Sequence, residues 1–269
     1  MTSPPENRPV SGWQRSTVIA VDRSVHWITR HWLAVFNTII LIYVGLPILA
    51  PVLMNAGVEG PARAIYTVYS PLCHQMAQRS FFLFGEQSAY PREIAGTSLQ
   101  PIEAYVDQIP EYEGVEEGNW PAFFVAARRF LGNEQMGYKM ALCERDIGIY
   151  GFVLIGGLLF GMLRNRIKIK ALPFLLFIII GIGPIAIDGF SQLFSYWVTP
   201  TDGSQASALM VQVQQLLPLR ESTPALRALT GALFGFMLVW LAYPQVHSGM
   251  SATEQQLAEK LRNIDTPPE

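Results

Sequence analysis

RNRIKIKALPFLLFIIIGIGPIAIDGFSQLFSYW, residues 164–197, holds the two signals that decide the class of this protein. Arg164, Arg166, Lys168 and Lys170 crowd a short link, and Leu172–Trp197 then carries a single charged side chain, Asp188. A bilayer hydrocarbon core of about 30 Å needs roughly 20 apolar residues in a helix. A spanning backbone must also satisfy its own hydrogen bonds, so such a run is read as helix. Three more runs are read the same way, at about Leu33–Met54, Ile147–Leu163 and Ala225–Tyr243, the second of them short and completed by a few flanking residues at each end. Composition agrees. Half of the 269 residues are hydrophobic and 15% are charged, against about 25% in soluble domains. A net charge of −2 argues against a nucleic-acid partner held by counterion release. The expected fold is all-α and polytopic, with about four transmembrane helices in the lipid bilayer.

Orientation follows from the same link. A short loop rich in Lys and Arg belongs in the cytoplasm. Four crossings then put both termini inside, at the plasma membrane, and Arg8, Arg15, Arg23 and Arg30 before the first run agree. The first apolar run starts too far along the chain for an ordinary signal sequence. Three regions are expected: a cytoplasmic amphipathic arm at 1–32, a membrane domain at 33–243 with a long external insertion near 86–142, and a polar tail at 244–269. In the arm, Val18, Val21, Val25, Ile28 and Trp32 share one stripe. That pattern predicts a helix lying on the inner membrane surface and running into the first span. The polar ends, Met1–Pro5 and Asp265–Glu269, are expected to fray.

The long external segment has several parts. Ser70-Pro71 has the form of a helix start and Gly85 that of a stop. The residues between predict a short interfacial or re-entrant helix at Leu72–Phe84. Glu103, Asp107, Glu111, Glu113, Glu116 and Glu117 mark 86–120 as an acidic external loop. Trp120–Leu131 is expected to form a surface helix, with Phe123, Phe124, Ala127 and Phe130 on one face. Gly157–Gly161 and Gly231–Gly235 are small-residue pairs that permit close helix approach, between spans two and four or between subunits.

Asp188 is the first candidate for function. At 1.5 Å per residue it lies roughly 24 Å into its span, in the outer part of the bilayer. A carboxylate there must be paired, hydrated or protonated. Pro184 predicts a kink just before it. Gln192 lies one turn beyond on the same face. Arg227 follows Thr223-Pro224 at the outer start of the fourth span and is the expected partner, with Arg220 a looser one. Arg145 and Asp146 open the second span at the same level. The alternative is a protonated or ion-paired Asp188 that merely fixes packing.

Both cysteines, Cys73 and Cys143, fall on the outer side. Cys143 precedes the second span, whose positive end favours a thiolate. Three readings stay open: a disulfide, which suits an oxidising compartment; a metal site of Cys73, His74 and Cys143 with a carboxylate, for a divalent ion such as zinc; or two packed free thiols. Cys73 and His74 are neighbours, so both reach one ion only at a distorted turn. His26, His31 and His247 fall on the inner side and read as interfacial polar residues. No nucleotide loop, nucleophile elbow or zincin motif is present.

Four ordered motifs carry a resemblance: Cys73-His74-Gln75 with Arg79-Ser80-Phe81-Phe82; Cys143-Glu144-Arg145-Asp146 with Gly148 and Tyr150; Pro184 with Asp188-Gly189 and Gln192; and Arg220 with Ser222-Thr223, Arg227 and Thr230-Gly231. Over roughly residues 65–240 the chain resembles the bacterial and archaeal membrane-protein family known as domain of unknown function 2085. The resemblance implies a polytopic membrane protein whose four motifs form one site, and it implies no activity. This chain departs from the family pattern in two ways. About fifty residues, near 87–138, separate the first two motifs, and Asp146 stands where some members carry cysteine.

Three functions are compatible with these residues. One is an outer-face site that binds a metal ion or performs thiol or lipid-linked chemistry through Cys73, His74, Cys143, Arg145, Asp188, Gln192 and Arg227. Another is a non-catalytic subunit of a larger membrane complex with a disulfide-stapled cap. The third is a small-solute or ion transporter with Asp188 as coupling carboxylate, which requires a homo-oligomer because four spans are few.

Overall fold

A computed structural model describes residues 12–115, 119–199 and 208–265. Arg8, Glu116, Glu117, Met1–Pro5 and 266–269 lie outside the described residues. Among the described residues, four helices are long and apolar enough to cross a membrane: Trp13–Asn55, Glu144–Leu163, Phe174–Trp197 and Pro224–Ile264. Each contains, or coincides within a few residues with, one of the runs read from sequence. The protein is a mostly helical, polytopic membrane protein.

Local chemistry sets the starts of the spans. Thr223 Oγ1 accepts from the Leu226 amide at 3.2 Å, and Pro224 fills the first helical position, where no N–H is needed. The second span starts directly after Cys143, with Glu144 and Asp146 in its first turn against the positive helix end. The third span changes its hydrogen-bonding pattern just before Pro184. Its turn Phe177–Ile182 widens to a π-helical turn before Gly183–Trp197 resumes as α-helix. Proline removes an amide donor and crowds the carbonyl four residues earlier, so the preceding turn opens.

The amphipathic arm is not a separate element. It forms the first turns of one unbroken helix, Trp13–Asn55. The fourth helix is equally long and runs on to Asp265. Lys260 pairs with Asp22 at 2.6 Å, and Trp32 packs on Phe160, Tyr243 and His247. Both described chain ends therefore leave the bundle on one face.

The opposite face carries a folded cap. Helix Glu59–Tyr69 leads into it. Strands β1 (Ser80–Leu83), β2 (Gly132–Asn133) and β3 (Gly137–Cys143) form an antiparallel sheet in the order β1-β3-β2. This corrects the helix expected at Leu72–Phe84. Only a 3-10 turn, Ala77–Arg79, forms there before the chain turns to strand. The burial of Ser80–Leu83 alternates residue by residue, the period of a strand, and its partner β3 is remote in sequence. Gly85 is no helix stop: a Cβ there would lie 1.9 Å from the Met136 carbonyl.

The acidic stretch is not a loose loop either. Phe82, Tyr90, Ile102, Ile109, Tyr112, Phe130 and Met136 bury together as a core of their own. The surface helix is found at Trp120–Arg129, capped by Asn119 Oδ1 accepting from the Ala122 amide at 3.2 Å.

Spans two and four pack most closely at Gly231 and Gly235. A Cβ on Gly235 would lie 2.1 Å from the Ile149 carbonyl oxygen, and one on Gly231 2.4 Å from that of Arg145. Gly161 faces Leu33 of the first span, and Gly157 lies between Asn37 of the first span and Tyr243 of the fourth. Gly235→Leu is therefore expected to destabilise the bundle by about 3 kcal/mol, at the upper end for overpacking because the obstacle is backbone. Gly45→Ala, with nothing within 4 Å, should be neutral. Equal melting temperatures for the two variants in detergent would refute this packing.

Candidate functional site

The sheet brings the first two motifs together. Ser80 lies opposite Cys143 in the β1–β3 register. The turn after Glu59–Tyr69 delivers Cys73, whose amide donates to the Tyr69 carbonyl at 3.0 Å. The Cys143 amide then donates to Cys73 Sγ at 3.3 Å. Asp146, three positions on in the first turn of the second span, completes a group. The ligand atoms of Cys73, Cys143 and Asp146 all lie within 4.8 Å of one another. His74 is not in that group. It is exposed and lines the groove beside Arg79 and Arg145.

The thiol protons divide unequally, and opposite to the helix-end expectation. The hydrogen bond from Cys143 stabilises the Cys73 thiolate and lowers its pKa, against the effect of burial. Cys143, as the donor and buried beside that charge, is pushed up.

Gln75 fixes this loop. Its φ of 52° is left-handed, a conformation that costs a non-glycine residue about 1–3 kcal/mol. Its side-chain amide donates to the Tyr66 carbonyl at 2.9 Å and the Ala141 carbonyl at 3.0 Å. Lys139, fully buried, holds the same loop from beneath. Its Nζ donates to the carbonyls of Gln75, Arg128 and Ala127 at 2.5, 2.8 and 3.2 Å. Burial pushes its pKa down to about 7.

On the other side of the second span's first turn lies a network of arginines and carboxylates. Asp188 is 3% exposed. It accepts from Arg145, from Arg220 Nη2 at 2.9 Å and from Ser222 Oγ at 2.8 Å. Arg227, the expected partner, goes elsewhere. It pairs with Glu144 at 3.2 Å and with Glu221, because the helix start turns it toward the second span. Arg220, from the preceding loop, reaches back over the third span in its place. Glu221 is the hub. It accepts from Arg79 Nε at 2.8 Å, from Gln192 Nε2 at 3.0 Å, and from Arg227 and the Tyr196 hydroxyl. Burial opposes its charge, yet Arg79, Arg227 and Tyr196 outweigh that and hold its carboxyl below the usual range. Gln192 Oε1 also accepts from the Ser222 amide at 3.2 Å.

The four motifs thus meet in one layer under the cap, as two adjoining subsites. Cys73, Cys143 and Asp146 form one. Arg145, Asp188, Gln192 and Arg227 belong to the other. Sequence reasoning passed over Glu144, Glu221, Ser222, Tyr196 and Lys139. Glu144 and Ser222 fall inside the second and fourth motifs, and Glu221 lies between Arg220 and Ser222 of the fourth.

Residues 134–241 match the family described as predicted membrane protein (DUF2085), which bears out the resemblance drawn from the motifs. That stretch holds the second, third and fourth motifs, and the first lies before it. The chain is also similar to an uncharacterised protein of Methanocaldococcus jannaschii, 27% identical over 180 residues, which cover 67% of either chain. No solved structure matches it.

Proposed function

We propose that this membrane protein holds a divalent metal ion of the zinc class at Cys73, Cys143 and Asp146, on the extracytoplasmic side of the plasma membrane. The carrying observation is the convergence of two sulfurs and a carboxylate oxygen within 4.8 Å. Zinc–sulfur bonds of about 2.3 Å and a zinc–oxygen bond of about 2.0 Å at tetrahedral angles separate ligand atoms by roughly 3.5–3.8 Å, so closure asks for a shift of at most about 1.3 Å. The donor set is borderline-soft, as zinc prefers. Asp146 supplies the third ligand, where the sequence had suggested His74. Three protein ligands leave one coordination position for water or a substrate.

The arginine–carboxylate network supports the centre by holding the first turn of the second span, which carries Asp146. Asp188 has two arginines and a hydroxyl on it, and this favours a positioning role over that of a transport carboxylate, which must exchange protons or ions.

A disulfide is the second reading, favoured by the Cys143 amide contact to Cys73 Sγ, which sets the sulfurs side by side. One experiment separates the two. Protein purified in detergent is analysed for zinc and, in parallel, alkylated with and without reductant. Wild type is expected to bind about one zinc per chain, to label without reductant once metal is chelated, and to lose zinc in Cys73→Ser, Cys143→Ser and Asp146→Ala. Labelling only after reduction would replace the metal centre with the disulfide.

A further inference from the structure

A groove of about 590 Å³ opens beside the ion-pair network, where the cap meets the third span. Arg79 and Arg145 lie in it. Trp120 and Phe124 of the cap form one wall, and Leu193 and Tyr196 of the third span form the other. We propose that this groove binds one phospholipid with an anionic headgroup from the leaflet on the cap side.

The charge distribution carries the headgroup half of the proposal. Four arginines, Arg79, Arg145, Arg220 and Arg227, share the network with three carboxylates, Glu144, Asp188 and Glu221. The two signs are not equally accessible. The Arg79 and Arg145 side chains are 27% and 25% exposed, while those of Glu221 and Asp188 are 0% and 3%. Only positive charge therefore reaches the groove. Arg145 Nε is buried without a hydrogen-bond partner, and Gly189 keeps the approach to its guanidinium open: a Cβ there would stand 3.4 Å from Nη1. Arginine forks match phosphate oxygens, and such charge-assisted bonds are roughly twice as strong as neutral ones.

The walls carry the acyl half. Leu193 belongs both to the groove and to the exposed apolar side of the third span, with Ile187, Phe190 and Trp197. A ligand seated on the arginines is thus continuous with the surface that lipid tails cover. Trp197 stands at the span's end, where indoles mark the headgroup level. The groove is also braced. Arg92 lies 4.0 Å over the Trp120 ring, donates to the Tyr196 hydroxyl at 2.9 Å and pairs with Glu103 at 2.9 Å. A buried cation therefore ties both walls together. An anionic head and an apolar tail are needed at once, and that favours a phospholipid over a soluble anion.

The test is native mass spectrometry of the full chain in detergent, titrated with phosphatidylglycerol or phosphatidylcholine of equal chain length. Wild type should retain one phosphatidylglycerol at least about tenfold more tightly, the worth of one or two charge-assisted bonds. Arg145→Gln should erase the preference. Because that variant also breaks an ion pair, Phe124→Glu and Gly189→Leu are measured beside it. Phe124→Glu removes no ion pair of the network and adds repulsion, so it should lose the bound lipid while melting as wild type does. Gly189→Leu, whose side chain would stand against Arg145 Nη1, fills the groove and should lose the lipid whatever its melting temperature. Equal retention of the two lipids by wild type would overturn the proposal. So would unchanged selectivity in both groove variants, or full displacement by millimolar inorganic phosphate, which would mark a free-anion site.

Discussion

Glu221→Ala is expected to destabilise the protein by about 3–5 kcal/mol, the usual cost of leaving a buried charge without its partner, and to lower its accumulation in the membrane. Glu221 is the carboxylate on which the cap, the third span and the fourth span all depend. Removing it strips Arg227, whose side chain is 4% exposed, of one of two carboxylates, and Arg79 of its salt bridge. Gln192 and Tyr196 lose their acceptor at the same time. Asp188→Asn should cost less, although Asp188 is just as deeply buried. Its partners Arg145 and Arg220 are 25% and 35% exposed and can turn to water. The expected order is therefore Glu221→Ala well below Asp188→Asn in melting temperature, read by fluorescence-detected size exclusion. The reverse order would show that the hub has been misplaced.

The difference between these two carboxylates also explains what the sequence revealed. Asp188 stands alone in an apolar run, and a charge there must be accounted for. Its burial is a property of its own segment, so it was legible. Glu221 and Glu144 sit at span ends, where charges are ordinary. They become buried only because the cap closes over them through Arg79, 142 positions from Glu221. The same distance problem hid the sheet. Ser80–Leu83 is a strand because Gly137–Cys143 lies beside it, and a local reading of Ser70-Pro71 as a helix start could not see that partner. The spans needed no such information, since twenty apolar residues in succession settle their own fate in a bilayer. The thiol group was half legible. Both cysteines were placed in one layer, but the third donor depends on a helix turn: Asp146 lies three residues after Cys143 and joins the sulfurs, whereas His74, adjacent to Cys73, is exposed and outside the group.

Lys139 leads to the second large effect. It lies in a segment that reads as external and soluble, where a lysine signals nothing, yet it is fully buried with three carbonyls around its Nζ. Lys139→Ala leaves those carbonyls unsatisfied and a cavity beneath the Cys73–Gln75 turn. At roughly 1–3 kcal/mol for a buried polar group left without a partner, the combined loss is expected at about 4 kcal/mol, with early proteolysis of the cap and slack in the thiol pair. The wild-type residue also sets a dependence on pH. Its pKa is about 7 in the fold and 10.5 as the ordinary value. Between these values the unfolded chain holds the proton and the folded chain has released it. Stability from this group therefore rises as pH climbs from about 7, reaches its full value above the unfolded pKa, and is lost again on acidification through that window. Between about pH 7 and pH 9 the gain is of the order of 2 kcal/mol. Thermal unfolding in detergent across that range should show wild type gaining on Lys139→Ala as pH rises. Parallel curves for the two proteins would mean that the buried ammonium keeps its proton throughout, and that the three carbonyls outweigh the cost of burying the charge.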